Sequence, residues 1–457
     1  MTKRSSVSAI GVSSISLLAG VMASLGLALA TTALAQTPQP PTPLAPTPLP
    51  SAAPPSVTVS EPVSPPPAFV PTAPSARIDL DEVDRRARAL MARRGMVGLA
   101  VAVIDDGEIV MTRGYGKTAQ RLGTPVSETT LFRWASVSKS VAAAAAMSVA
   151  EEGHFGLSSP VDAFISTELP ESRRALTLEH LLSHRTGLPR NSYDPVVEDG
   201  RSETHVKSRL AGTDTVCEPG RCHAYQNVAF DLSTDMVEAA LGVPYASAVR
   251  ARLFAPLGMD TAVLSHEGFV TSADWARPHN SRGVGYRAVK RTYFRIPGAA
   301  GVSSSIADLA KWVQANMTGA NGTLSESARE QMREPRTRTL RRQRQLRRKY
   351  PFLRNASYGL GWRLYDYEGP RGDLHRVVAH RGAVQGYRAS VIFDPATGDG
   401  VALMWNNSSS RPHGLAYEVM DQSYGKRKRD WLGLNQAVAK VAGRYKTNPP
   451  GSGDTHD

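Results

Sequence analysis

Runs of apolar, strand-forming residues separated by turn signals predict a β-sheet built from both ends of the folded region. Residues 97–104 are rich in β-branched side chains, and the Asp106-Gly107 pair that follows is typical of a tight hairpin turn. Residues 387–393 and 401–405 form a second pair of strand-like runs near the other end of the chain. The two pairs indicate an antiparallel sheet to which both chain ends contribute strands.

The sequence between these runs has helical periodicity. Residues 136–152 are rich in alanine and stop at Gly153. Apolar residues also recur at helical spacing over 306–317, behind a capping pair formed by Ser305 and Asp308. We therefore expect an α+β fold, in which helices flank the antiparallel sheet and a mostly helical lobe is inserted between strands.

The first 76 residues have a different composition. Residues 1–35 begin with a short basic region, continue with a long uncharged apolar stretch and end in a small-x-small cleavage site. This is the three-part pattern of a secretory signal. An uncleaved membrane anchor is the alternative interpretation. Residues 36–76 hold 15 of the chain's 32 prolines, which favours an extended tether without a core. We expect an exported protein, periplasmic or secreted, with a folded domain over 77–440 and a flexible tail over 441–457.

Composition and charge narrow the class of protein. Of the 457 residues, 41% are hydrophobic and 21% are charged, as in globular proteins, and two cysteines exclude a disulfide-rich miniprotein. The net charge is +13, and +8 of it belongs to the run that starts at Arg333 and ends at Lys349. This run predicts either a solvated surface insertion or a contact with anionic envelope material such as lipid phosphates. No nucleic-acid partner is expected, because the chain carries an export signal and the run has few aromatic residues.

Two short motifs carry candidate catalytic groups. Ser136 and Lys139 form S-x-x-K, which on a helix places a hydroxyl nucleophile beside an amine able to act as its base. Tyr225 and Asn227 form Y-x-N, which combines a phenol able to relay a proton with an amide able to bind a carbonyl. Each motif alone also fits an ordinary helix or surface turn.

A third motif lies just before the second pair of strand-like runs. His380 and Gly382 flank Arg381 there, after the apolar residues 377–379. In a strand, His380 and Gly382 point to the same face, and the glycine admits close approach of another backbone.

In this order, the three motifs resemble those of the penicillin-recognising serine hydrolases, in particular the class C β-lactamase-related group of D,D-peptidases, D-aminopeptidases and esterases. Flanking sequence supports the resemblance over about residues 95–410, including LEHLLSHRTGLP at 178–189 and YGLGW at 358–362. The resemblance implies a β-lactamase/transpeptidase-like fold and an exported, acyl-enzyme-forming serine hydrolase that uses no metal and no other cofactor.

The resemblance also implies a role for each motif residue. Ser136 would be the acylated nucleophile, Lys139 and Tyr225 would share the general-base role, and Tyr225 would return a proton to the leaving group. The backbone N–H groups of Ser136 and Ala383 would form the oxyanion hole. The substrate-binding residues would be Asn227, His380, Gly382 and Ala383.

The third motif departs from the Lys-Thr-Gly of many β-lactamases, in which the lysine helps to hold a substrate carboxylate. A neutral His380 would bind a carboxylate weakly at pH 7 and better below about pH 6.5. The expected activity is therefore D,D-peptidase- or esterase-like, on amide or ester bonds of small envelope peptides or related molecules. A β-lactamase is one alternative, and a catalytically idle homologue that binds envelope peptides is an alternative of another class.

The remaining cysteine and histidine patterns predict structural roles. Cys217 and Cys222 flank a Pro-Gly turn, so an exported chain is expected to join them in a disulfide that stiffens the approach to Tyr225. His180 and His184 have the i, i+4 spacing of a zinc site, but the catalytic glutamate and a third ligand are missing from the sequence around them.

Overall fold

The computed structural model describes residues 78–435 apart from Thr167 and Arg287. The predicted signal, tether and tail, at 1–35, 36–76 and 441–457, lie outside the described residues. The described strands are β1 (Gly98–Asp105), β2 (Glu108–Gly116), β3 (Phe132–Arg133), β4 (Ser303–Ser304), β5 (Thr337–Arg338), β6 (Leu353–Tyr358), β7 (Arg363–Glu368), β8 (Leu374–Val384), β9 (Tyr387–Asp394) and β10 (Asp399–Trp405).

Eight of these strands form one antiparallel sheet in the order β2-β1-β10-β9-β8-β7-β6-β5, and β3 pairs with β4. The predicted contribution of both chain ends is confirmed, because β1 pairs with β10 and places Leu99 opposite Trp405. The hairpin between β1 and β2 turns at Asp106 and Gly107, whose φ angles of 51° and 80° are the paired positive values of a type I′ turn.

The described helices are α1 (Leu80–Met91), α2 (Ser138–Glu151), α3 (Leu178–Leu182), α4 (Asp194–Glu198), α5 (Glu203–Ser208), α6 (Asn227–Leu241), α7 (Tyr245–Val249), α8 (His266–Val270), α9 (Pro297–Ala300), α10 (Ile306–Thr318), α11 (Glu326–Arg333), α12 (Leu340–Lys349) and α13 (His413–Ser423). A π-helical turn follows α7, and 3₁₀ turns lie at Ala135–Val137, Val161–Ala163, Glu171–Arg173 and Thr292–Arg295. Helices α3 to α9 all lie between β3 and β4, as expected for an inserted helical lobe. None of the described helices combines the length and apolarity that a membrane span needs.

Apolar layers cover both faces of the sheet. Strand β1 shows this directly, because Ala100 and Ala102 belong to the layer with α2, α6 and α10, whereas Leu99 and Val101 belong to the layer with α1 and α13. The sequence of a central strand that is buried on both faces is a continuous apolar run, because successive side chains point to opposite sides of the sheet. The sheet is therefore the central layer between two apolar cores, and the inserted lobe packs on one side of it.

Candidate active site

The turn before α2 carries Ser136. The α-helix begins at Ser138, two residues later than predicted, because Ala135 has a positive φ of 50° and the chain first forms the 3₁₀ turn Ala135–Val137. Ser136 is half-buried on this turn, whereas Lys139, in the first turn of α2, is completely buried. The hydroxyl thus stays partly accessible while the amine lies inside the protein.

Lys139 joins the first motif to the second. Its Nζ donates hydrogen bonds to Asn227 Oδ1 at 2.7 Å and to the Ala299 carbonyl at 2.8 Å. The same Nζ lies 4.9 Å from the centroid of the Tyr225 ring. Burial of a lysine is costly unless its N–H groups find partners, and these two oxygens supply them.

Asp194 is the second side-chain hydrogen-bond partner of Asn227. The Asn227 Nδ2 donates to both Asp194 carboxylate oxygens, at 2.9 and 3.0 Å, while its Oδ1 accepts from Lys139. Burial raises the pKa of Asp194, and the hydrogen bond from Asn227 and the nearby charge of Lys139 act against that rise. Because both ends of the amide are engaged, its orientation is set, and its predicted contact with substrate stays a prediction.

His184 forms the wall behind Tyr225. The two ring centroids are 4.1 Å apart, and His184 Nδ1 accepts a hydrogen bond from the backbone N–H of Gln226 at 3.3 Å. His184 is buried, so burial lowers its pKa well below the usual value, and the charge of Lys139 lowers it further. The ring is therefore a neutral platform that positions the Tyr225 phenol.

The third motif lies in β8 and faces inward. His380 Nδ1 lies 3.1 Å from the carbonyl of Arg381, which can only accept, so Nδ1 donates and Nε2 accepts from the Tyr358 hydroxyl at 3.1 Å. Burial lowers the pKa of His380 well below its usual value, and the charges of Arg363 and Lys139 lower it further. The imidazole therefore remains neutral below pH 6.5, where the sequence led us to expect it to gain charge.

Gly382 brings β8 against the nucleophile turn. A Cβ at this position would overlap the carbonyl oxygen of Trp134, two residues before Ser136. Ala383 follows on the exposed side of the same strand. The backbone of β8 thus runs beside the nucleophile turn, as the predicted oxyanion hole requires, and the role of the two N–H groups stays a prediction.

Four residues that the sequence analysis did not place in the active site also belong to it: Asp194, His184, Tyr358 and Arg363. His184 lies in the family-like segment 178–189 and Tyr358 in the segment 358–362, and Arg363 directly follows the second segment. That second segment approaches the site through Gly361, where a Cβ would collide with the Lys139 carbonyl. Asp194 has no such sequence signal.

The segment leading to Tyr225 is tied down at several points. Cys217 and Cys222 are joined by a disulfide with a Cα–Cα distance of 6.3 Å. The Ala224 N–H donates to the His184 carbonyl at 3.0 Å. Within the described part of the chain, no three His, Cys, Asp or Glu side chains are grouped so as to hold a metal ion.

Comparison with known proteins assigns the family. Residues 83–424 match the family model described as Beta-lactamase. The chain belongs to the β-lactamase family. This confirms the resemblance drawn from the motifs.

A solved structure of the β-lactamase family's fold supports the architecture. The octameric penicillin-binding protein homologue from Pyrococcus abyssi superposes with a TM-score of 0.68 at 24% identity, covering 79% of this chain and 81% of that one. The likeness confirms the predicted α+β, β-lactamase/transpeptidase-like fold.

Curated relatives in the family are hydrolases of several kinds. Unguisins hydrolase ungD′ of Aspergillus campestris is 27% identical, over 71% of this chain and 62% of its own length. Esterase EstB of Burkholderia gladioli is 32% identical, over 42% of this chain and 53% of its own length. The D-alanyl-D-alanine-carboxypeptidase/endopeptidase AmpH of Escherichia coli K12 is 28% identical, over 51% of this chain and 61% of its own length. The matched region thus spans less than two thirds of each of these relatives.

Proposed function

We propose that the protein hydrolyses amide or ester bonds through an acyl-enzyme at Ser136, in the manner of a D,D-peptidase or an esterase. The observation that carries this proposal is the buried Lys139, which contacts Asn227 and the Tyr225 ring directly behind the half-buried nucleophile turn. A buried amine held by two acceptors beside a phenol is a costly arrangement for stability, and it is suited to moving the proton of a serine.

The proposed reaction has two stages. In acylation, the Ser136 oxygen bonds to the substrate carbonyl carbon while its proton passes to the Lys139–Tyr225 pair, and the oxyanion is held by the N–H groups of Ser136 and Ala383. Each such donor contributes roughly 2.7–4 kcal/mol to transition-state stabilisation. The leaving group departs with a proton returned through Tyr225, and water then cleaves the acyl ester to release the acid and restore Ser136.

We also propose that the protein acts after export, in the periplasm or outside the cell. The signal-like residues 1–35 support this location, as does the disulfide between Cys217 and Cys222, because disulfides persist in oxidising compartments. The predicted contact of the basic run with an anionic envelope surface stays a prediction.

Intact-mass spectrometry tests the proposed chemistry. The protein is incubated with a penicillin and, separately, with an activated ester, in wild-type form and as Ser136→Ala. A penicillin adduct on wild type alone supports a D,D-peptidase-like enzyme, and rapid ester turnover without that adduct supports an esterase. Rapid turnover of the penicillin indicates a β-lactamase. Adducts that survive in Ser136→Ala contradict the assigned nucleophile, and no reaction with either reagent favours the idle homologue.

A further inference from the structure

Two guanidinium groups lie near the Tyr225 ring. The Arg363 guanidinium lies 5.1 Å from the Tyr225 ring centroid and 5.3 Å from that of Tyr358, and the Arg190 guanidinium lies 5.9 Å from the Tyr225 ring. Among the described residues, neither arginine forms an ion pair with a carboxylate. Arg363 is half-buried at the start of β7, so its charge is only partly hydrated.

The basic run continues this positive surface. Burial lowers the pKa of Arg190, the charges of Arg341 and Arg363 lower it further, and those of Tyr225 and Asp194 act in the opposite direction. Arg341 begins a face of α12 that also carries Arg344 and Arg348, at i, i+3 and i+7, and all three side chains are exposed. We call these five residues, Arg190, Arg341, Arg344, Arg348 and Arg363, the cationic band.

Helix α12 holds its part of the band in a fixed position. The opposite face of the helix buries Leu346, and Arg342 Nε lies 3.4 Å from the Tyr365 hydroxyl, to which it donates. Before the helix, Arg336 reaches Glu179 in α3, with 3.6 Å between Nη1 and Oε2. The basic run is therefore docked against the catalytic domain.

The band differs from two other arginines on nearby strands, each of which is paired with a carboxylate. Arg354 and Arg376 pair with Glu368 and Asp366, at 2.8 and 2.6 Å. A solvated surface usually mixes both signs of charge, whereas no band arginine forms an ion pair with a described carboxylate, and the band begins beside Tyr225 with Arg190 and Arg363. An anionic ligand would offset this concentration of positive charge.

We propose that the leaving-group portion of the substrate is an acidic peptide segment that extends from Tyr225 along the cationic band. This inference rests on the proposed function, in which Tyr225 returns a proton to the leaving group, and on the position of the Arg190 and Arg363 guanidinium groups beside the Tyr225 ring. Helix α12 has 10 residues, and at 1.5 Å per residue it is about 15 Å long. Four or five extended residues span that length at about 3.3 Å each.

Two matched thioesters test whether the enzyme prefers an acidic leaving group to a neutral one. Both carry the same benzoylglycyl acyl group, and their leaving thiols are mercaptoacetyl peptides with four glutamates or four glutamines, so that the released thiol is measured directly. We expect kcat/KM to be about tenfold higher for the glutamate thioester at low salt, since several partly screened charge pairs act together. The preference should shrink as salt rises from about 0.05 M to about 0.5 M. Equal kcat/KM for the two thioesters overturns the inference.

Charge variants locate the effect. Arg341→Gln/Arg344→Gln/Arg348→Gln should lose most of the glutamate preference while its kcat/KM for the glutamine thioester changes little. The matched control removes three exposed arginines elsewhere, in the triple variant Arg94→Gln/Arg371→Gln/Arg427→Gln. If this control loses the preference to the same extent, net charge alone accounts for it and the inference is wrong.

A binding measurement separates this inference from the proposed reaction. Fluorescence anisotropy of labelled tetraglutamate and tetraglutamine peptides is measured with Ser136→Ala, alone and combined with the three α12 substitutions. Tighter tetraglutamate binding that needs the α12 arginines supports the band even if no thioester is hydrolysed, in which case the proposed function alone fails. Equal binding of the two peptides refutes the band, and binding of phosphatidylglycerol vesicles through the same arginines would then assign it to a lipid surface.

Discussion

Lys139 is held in place partly through the completely buried Asp231, which does not contact it directly. Asp231 Oδ1 accepts hydrogen bonds from the N–H groups of Gly298 and Ala299, at 2.8 and 3.2 Å, and the Ala299 carbonyl in turn accepts from Lys139. Burial raises the pKa of Asp231 to about 7, against the opposing charge of Lys207 at 3.1 Å. Asp231 is therefore a positioning residue for the proposed base.

Substitution of Asp231 separates positioning from folding. Asp231→Ala removes the acceptor for two N–H groups, so we expect kcat to fall about tenfold and the free energy of unfolding to fall by about 1–3 kcal/mol. Asp231→Asn keeps an oxygen acceptor but leaves Lys207 without one of its carboxylates. It should recover most of kcat while remaining destabilised. Steady-state kinetics and urea unfolding of both variants check this, and a kcat loss shared equally by Ala and Asn would contradict it.

At the scale of elements, the site exists because β8 presses against the turn that precedes α2. Gly382 allows this contact, since the Trp134 carbonyl occupies the space of a side chain. The strand and the turn are far apart in sequence, yet the hairpin of β8 and β9 places Gly382 opposite Ala389 within the rigid sheet. The position of the proposed oxyanion hole thus depends on sheet register rather than on any local turn.

Gly382→Ala should separate β8 from the nucleophile turn. We expect destabilisation of about 1–3 kcal/mol from overpacking, together with a loss of acylation rate of at least about tenfold, because the oxyanion donors move apart. Gly212→Ala is the matched control, since its Cβ would meet no atom within 4 Å. Stopped-flow acylation and thermal unfolding provide the two measurements. A destabilised Gly382→Ala protein that acylates at the normal rate would refute this role of the contact.

The sequence predicted the elements better than the connections between them. The Asp106-Gly107 turn and the Ser305 cap predict the boundaries of β1, β2 and α10 to within about two residues of those observed. These signals are local, because each acts over a single turn of chain. The contact between Asn227 and Asp194 spans 33 residues and has no local signal. Arg363 was missed for a similar reason, because only the assembled tertiary structure brings the start of β7 to Tyr225.

Across the whole molecule, several histidines are buried in neutral form. Burial lowers the pKa values of His184, His380 and His413 well below the usual value, and that of His223 to about 3. An unfolded histidine binds a proton below about pH 6.5, whereas these folded ones do not. The unfolded state therefore binds more protons, and each such histidine lowers stability as the pH falls below 6.5.

His413 offers a test of this coupling away from the active site. It is buried against Trp405, with ring centroids 4.9 Å apart, at the start of α13. His413→Gln should lower the stability measured at pH 7, but the deficit relative to wild type should shrink by about 1 kcal/mol at pH 5.5, where wild type bears the cost of keeping His413 neutral. Denaturant unfolding at both pH values measures it, with the exposed His154→Gln as control. A deficit that is the same at both pH values would show that His413 carries no such cost.

The pairing of β1 with β10 has a consequence for biosynthesis. Leu99 meets Trp405, so until about residue 405 has left the ribosome β1 can pair only with β2. A central sheet that closes through contacts so distant in sequence folds slowly, and its unpaired strand edge stays available to chaperones meanwhile. The nascent chain should therefore complete its central sheet only after nearly the whole domain has been made, and an incompletely folded chain is the state that a translocation channel accepts.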